Sequence, residues 1–219
     1  MTPYISYLVT CKNDGYALQP LLDLLYKYNT DAECVILDDN SDDVDTLSVL
    51  KNASENSFFR VEKHSLNKNY GEHKNYGKSL CKGKYIFQID SDELPTEYLL
   101  ENLKEILESN PDVELFWIPR INDFSGVTEE HAKRWQWRLS DYENRKIVNW
   151  PDRQTRIFKN LDHIKWEKKL HERVVGAKIY GSLPDDFMFS LIHTKTIEKQ
   201  EKTNEMYNRE FSISENMGG

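Results

Sequence analysis

Lys84-Tyr85-Ile86-Phe87-Gln88-Ile89-Asp90-Ser91-Asp92-Glu93 is an apolar run that stops in three acidic side chains within four residues. Its β-branched and aromatic residues, opened by the turn-like Lys82-Gly83-Lys84, predict a buried strand of an α/β sheet. Open α/β sheets hold ligands in the crevice outside the carboxyl ends of their strands, which is where these carboxylates fall. Asp90 and Asp92, one residue apart, can turn towards a single hard cation, so the stretch reads as a metal–diphosphate site. It reads equally as a strand end followed by a capped helix entry, since Glu93-Leu94-Pro95-Thr96-Glu97 has that form.

Upstream, residues 4–10 predict a first strand, ended by Cys11-Lys12-Asn13-Asp14-Gly15. Leu18, Leu21, Leu22 and Leu25 then share one face of a helix, with Asn13 or Asp14 as its cap. Cys34-Val35-Ile36-Leu37 predicts a second strand, also ending in acid at Asp38-Asp39-Asn40-Ser41, with a helix over 44–51 behind it. A weaker strand at 59–63, an Asn- and Gly-rich turn at 67–71 and a helix over 72–80 return the chain to the acidic-ended strand. Downstream, a helix over 96–108 is stopped by Asn110-Pro111, and a strand follows at 113–118. This alternation predicts an α/β fold with one mainly parallel mixed sheet flanked by helices and right-handed crossovers.

After Arg120 the rhythm breaks. Residues 122–150 show no clean period, and their Trp135, Trp137, Tyr142 and Trp150 are read either as faces for sugar rings or as a satellite core under a long loop. Strands are expected near 155–159 and 187–193. Residues 198–219 are polar, with a helix expected up to 211 and a frayed end.

The 219 residues suit one domain, and a net charge of −8 argues against a general nucleic-acid or anionic-membrane surface. Cys11, Cys34 and Cys81 lack paired spacing and read as core thiols. The start of the chain lacks the pattern of a signal peptide, and no stretch approaches the roughly 20 apolar residues of a membrane span, so a cytoplasmic location is expected. Peripheral membrane contact stays open. GxxxxGK[ST], HExxH and a Gly-rich dinucleotide loop are all absent, which leaves the common NTPase, zinc-protease and NAD readings without support.

Five features in one order, the strand end at 10–13, Asp38-Asp39-Asn40-Ser41, residues 67–75, Gly83-Lys84-Tyr85-Ile86 and Asp90-Ser91-Asp92-Glu93, resemble the amino-terminal half of family 2 nucleotide-sugar glycosyltransferases of the GT-A (Rossmann-like) fold. The resemblance implies a GT-A domain over 1–195, with a nucleotide-sugar half at 1–120 and an acceptor-binding, catalytic half at 121–195, followed by a polar tail at 196–219. It implies an inverting, metal-dependent transferase moving a sugar from a nucleoside diphosphate sugar, UDP favoured, to a saccharide or glycoconjugate hydroxyl. Alternatives are a sugar-nucleotide nucleotidyltransferase and a non-catalytic carbohydrate-binding protein.

By the same resemblance, Asp90 and Asp92 hold Mn²⁺ or Mg²⁺ on the diphosphate. Thr10, Asn13, Asp38, Asp39 and Lys74 bind the donor. In the second half, Pro151-Asp152-Arg153-Gln154-Thr155-Arg156-Ile157-Phe158, Leu170-His171-Glu172 and Ile192-His193 resemble a narrower group, the transferases that build lipopolysaccharide cores. There Glu172 looks like the base, His193 like the third metal ligand, and Arg153, Arg156 and His171 like substrate contacts. Where the common motif has Glu-Asp, this chain has His171-Glu172. A neutral imidazole suits Mn²⁺, and a guanidinium suits phosphate. Taken alone, His171 and His193 read equally as packed histidines and the arginines as a solvated strand face.

Overall fold

In the computed structural model, residues 2–212 and 215 are described. The chain runs β1 (Ile5–Cys11), α1 (Gly15–Lys27), β2 (Ala32–Asp38), α2 (Val44–Ser54), β3 (Phe59–Lys63), α3 (Tyr70–Leu80), β4 (Tyr85–Asp90), β5 (Glu93–Pro95), α4 (Glu97–Ser109) and β6 (Leu115–Ser125). It continues through α5 (Glu129–Trp135), β7 (Leu139–Tyr142), β8 (Arg145–Lys159), β9 (Lys165–Glu167), β10 (Arg173–Val175), β11 (Tyr180–Ser182), a 3-10 turn at Phe187–Phe189, β12 (Leu191–Thr196) and α6 (Ile197–Glu210).

Ten strands form one sheet in the order β3-β2-β1-β4-β8-β6-β12-β5, with β7 on β8 and β11 on β6, while β9 and β10 pair separately. The first half, β3-β2-β1-β4, is wholly parallel, and β8 then runs antiparallel to both β4 and β6. The mainly parallel mixed sheet with flanking helices is therefore as the alternating rhythm predicted. β1, β2 and β4 are mostly apolar because both of their faces are covered, by the Leu18, Leu21, Leu22 and Leu25 stripe of α1 on one side and by residues such as Trp166 and Phe158 on the other. The three cysteines are buried and unbridged.

Register aligns the strand ends. Thr10 pairs with Asp90, and Cys11 with Asp38, so the β1, β2 and β4 termini form one rim. Asp14 is the N-cap of α1, although its side chain makes no capping bond and instead accepts from Ser91 and Lys199.

Residues 122–150 are not irregular. β6 continues to Ser125, and α5, β7 and the first part of β8 occupy the rest. The hydrophobic period is hidden because the β6–β8 pairing shifts register twice and α5 buries only Ala132. The polar carboxyl-terminal stretch forms α6 up to Glu210, with Phe211 buried after it. The end expected to fray lies outside the described residues, apart from Ser212 and Glu215. Among the described residues no helix is long and apolar enough to cross a membrane.

Gly83 explains how β4 enters the sheet. A Cβ there would sit 2.5 Å from the Ser6 backbone nitrogen and 2.7 Å from the Ile5 carbonyl carbon, and Gly83 N–H itself donates to Ser6 Oγ. Main chain cannot yield as a flexible side chain does. Gly83→Ala is expected to destabilise the fold by about 1–3 kcal/mol, the usual range for overpacking, measured as a lowered urea midpoint with unchanged slope.

Candidate active site

A cleft of about 340 Å³ opens along the strand-end rim. Thr10, Cys11 and Lys12 line it from β1 and its loop, residues 90–93 from the end of β4, Tyr70, His73 and Lys74 from α3, and Leu170, His171 and Glu172 from the β9–β10 loop. Arg120, His193, Lys195 and Tyr207 complete it.

The acids of the opening stretch have three different environments. Asp90 is held at both oxygens: Oδ1 accepts from Thr10 Oγ1 at 2.9 Å and Gln88 Nε2 at 2.8 Å, while Oδ2 accepts from Arg156 Nη2 at 2.7 Å. Lys74 Nζ lies 3.3 Å away. Burial works to raise the Asp90 carboxyl, but Arg156 and Lys74 overcome it and hold the group well below the usual carboxylate range. Glu93 does not cap the following helix; Thr96 does. It is fully buried and binds Arg120 at 2.8 Å and Arg156 at 2.6 Å.

Asp92 has no arginine partner among the described residues, and its Oδ2 lies 3.5 Å from His193 Nε2. The expected gathering of Asp90, Asp92 and His193 therefore needs correction: Asp90 is committed to two cations, and the described residues contain no group of three metal-ligating side chains.

The tautomer of His193 follows from its neighbours. Asn122 Nδ2 donates to Val148 O and Asp152 Oδ2, both acceptors only, so Asn122 Oδ1 accepts from His193 Nδ1 at 2.9 Å. The remaining nitrogen, Nε2, faces the Asp92 carboxylate: it donates to it when the ring is protonated and offers a lone pair beside it when the ring is neutral. Burial favours the neutral form of Asp92, but His193, and to a lesser degree Lys199, outweigh it and hold the carboxyl down at about 2. A carboxylate and a ring nitrogen facing one another across this gap suit a divalent cation whose remaining positions go to phosphate or water.

A bulge explains why Arg156 points inward. Across β6 and β8, Phe116 pairs with Ile157 and Trp117 with Thr155, which leaves Arg156 as the extra residue. Its guanidinium binds Asp90, Glu93 and Gln88, and these opposite charges outweigh burial and raise its already high pKa. Arg153, three residues earlier, pairs with Asp185 outside the cleft.

Glu172 is placed by α3. The Asn75 side chain donates to Trp166 O at 2.8 Å and accepts from Trp166 N at 2.9 Å, and Tyr70 N donates to Lys169 O. Gly71 admits Lys168 O where a Cβ would come within 2.4 Å. One turn away, Lys74 donates to Glu172 Oε1 at 2.6 Å, and only 4% of the lysine is exposed. His171 lines the cleft from a left-handed backbone position, edge-on to Tyr207.

On the opposite side Asp39 faces the cleft, tied to Lys12 and Leu66 N, whereas Asp38 lies behind it and accepts from Ser41 N. Asn13 also stays outside, joined to Asp42. Trp135 and Trp137 pack on Phe124 and His131, and Tyr142 and Trp150 on Phe187, so these aromatics form satellite cores away from the cleft. Sequence reading missed Tyr70, Arg120, Asn122 and Tyr207. Arg120 carried a faint signal as the charge closing an apolar run, and Tyr207 carried none.

Residues 6–163 match the model of glycosyl transferase family 2, and the chain belongs to that family. It is a glycosyltransferase of the GT-A, nucleotide-sugar type, and the nucleotidyltransferase alternative falls away. No curated protein matches. Among solved structures, residues 1–349 of S. aureus TarS share 14% identity at a TM-score of 0.60, covering 96% of this chain and 67% of that one. TarS in complex with UDP-GlcNAc gives 16% and 0.62 over 87% of this chain and 58% of that one. The mannosyltransferase PcManGT from Pyrobaculum calidifontis, in complex with GDP-Man and Mn²⁺, gives 15% and 0.56 over 88% and 57%. This chain thus spans between about half and two thirds of those chains, and the likeness is one of fold.

His73 lines the cleft from α3 with 4% exposure, its Nδ1 3.2 Å from that of His64. Burial lowers its pKa to about 4, against about 6.5 for an unfolded chain. The neutral form is the one that folds. Its contribution is complete above pH 6.5 and is lost as pH falls towards 4, by about 3 kcal/mol at most. Thermal unfolding followed from pH 7 to pH 4 is expected to show this decline, with a shallower slope in His73→Asn.

Proposed function

We propose that this chain moves a glycosyl unit from a nucleoside diphosphate sugar to a hydroxyl of a saccharide or glycoconjugate, in a single inverting displacement assisted by a divalent cation. The observation that carries this reading is one cleft lined by the Asp92–His193 pair and by Glu172, with Lys74 beside Glu172. The fold shared with TarS and PcManGT, whose structures hold UDP-GlcNAc and GDP-Man with Mn²⁺, supports a diphosphate donor, with UDP favoured.

Asp92 and His193 would hold Mn²⁺ or Mg²⁺, and Asp90 would orient the site through Arg156 and Thr10. When bound, the cation neutralises charge on the departing diphosphate. Lys74 supplies a second positive charge to the same oxygens, while Asp39 and Lys12 border the nucleotide side. Arg156, fully engaged through its two terminal nitrogens, acts on the donor only by fixing Asp90.

Glu172 takes the proton of the acceptor hydroxyl as that oxygen attacks the anomeric carbon from the face opposite the diphosphate. A positioned base contributes about 10²–10⁴-fold to rate. Calorimetry with UDP, GDP, CDP and dTDP, with and without Mn²⁺, is expected to show one diphosphate binding more tightly with the metal. Binding of none in either condition would sink the donor reading.

Glu172→Gln is expected to lower kcat by about 10²–10⁴-fold while nucleotide affinity holds, and full activity in that variant would remove Glu172 as the base. Asp92→Asn is expected to abolish both transfer and the effect of Mn²⁺ on nucleotide binding. Transfer that persists in chelator would exclude the metal.

A further inference from the structure

A second pocket of about 280 Å³ adjoins the cleft. The two share Asp90, Arg120, His171, Glu172 and Tyr207, but the second is not lined by Thr10, Asp39, Asp92 or His193. Instead it runs along β8, where Gln154, Thr155 and Arg156 line it, and ends on Trp166. It therefore reaches Glu172 from the side away from the metal pair. Tyr207 of α6 stands where the two cavities meet, with its hydroxyl bonded to Tyr70.

The chemistry of this lining is specific. Both arginines are spent on carboxylates, Arg120 on Glu93 and Asp152 and Arg156 on Asp90 and Glu93, so the pocket offers no free positive charge for an anion. Gln154 Nε2 is tied to Asp152, which leaves its Oε1 as an acceptor, and Thr155 can donate and accept. Arg156 is 6% exposed, and its Nε–H has no partner among the described residues. With few apolar groups besides the Trp166 and Tyr207 rings, the pocket fits neither a lipid chain nor an aromatic ring.

We propose that this pocket is the acceptor site and takes a neutral, polyhydroxylated sugar, oriented by Thr155 and Gln154 so that one hydroxyl meets Glu172. The assignment rests on the transferase reading above. In it, Thr155 and Gln154 set which sugar is accepted, and Tyr207 is a positioning residue that divides donor from acceptor.

Saturation-transfer NMR on the full chain, loaded with diamagnetic Mg²⁺ and the nucleoside diphosphate selected by calorimetry, tests it with the methyl glycosides of glucose, galactose, mannose and N-acetylglucosamine. At least one glycoside is expected to receive saturation. Thr155→Trp, which fills the pocket, should abolish the signal, and Gln154→Ala should weaken glycoside affinity at least tenfold, both with nucleotide affinity within twofold of the parent. Should Thr155→Trp fail to fold, Gln154→Ala decides alone. Contact with no glycoside in nucleotide-loaded protein, or glycoside binding untouched in a variant that still holds the nucleotide, overturns the proposal. Loss of nucleotide binding in the parent chain would instead strike the donor reading.

Discussion

Everything in the catalytic half hangs on a buried ionic lattice in which Arg156 and Arg120 share Glu93, Arg156 also grips Asp90, and Arg120 also grips Asp152. These side chains come from β4, β5, β6 and β8, so the lattice ties the parallel half of the sheet to the antiparallel half. Buried charges are costly unless paired, and such a lattice contributes more to specifying one arrangement than to net stability. Its members cannot be removed singly: loss of Arg156 would leave Asp90 and the fully buried Glu93 short of their shared cation. The lattice also separates the two aspartates of the opening stretch: both line the cleft, but Asp90 answers to Arg156 and Asp92 is left to His193.

A second dependence runs through α3. The same helix carries Lys74 on its cleft side and, through Gly71 and Asn75, holds the loop that bears Glu172. Glu172 thus takes its position from backbone and amide contacts that are insensitive to charge, and its electrostatic environment from one lysine on the same element. His193 is built the same way: β12 sets its place and Asn122 on the adjacent strand sets its tautomer. Both are side chains whose usefulness depends on a neighbour that does no chemistry itself.

What the sequence could reveal follows from how local each signal is. The βαβ rhythm was legible because β1, β2 and β4 are buried on both faces and α1 and α4 each carry one leucine-rich stripe, so those patterns are undiluted. Thr10, Lys74, Asp92, His171, Glu172 and His193, assigned through family resemblance, all line the cleft. Glu93 was misread because an acid three residues past a strand and just before a helix looks like a cap, and only the tertiary structure delivers two arginines to it. Arg153 and Arg156 could not be told apart, since a bulge decides which of them turns inward, and a bulge leaves no mark in composition. Tyr207 lies in a polar helix whose contact with the cleft is wholly long-range.

The 2.6 Å pair between Lys74 and Glu172 bears on how the two cavities communicate. Lys74 is divided between Glu172 and Asp90, so one buried side chain holds both carboxylates in place. Glu172 borders both cavities, whereas Lys74 borders only the first, so an anion entering the cleft beside the lysine meets the same ammonium that positions the carboxylate facing the second. One buried lysine thus links the two cavities.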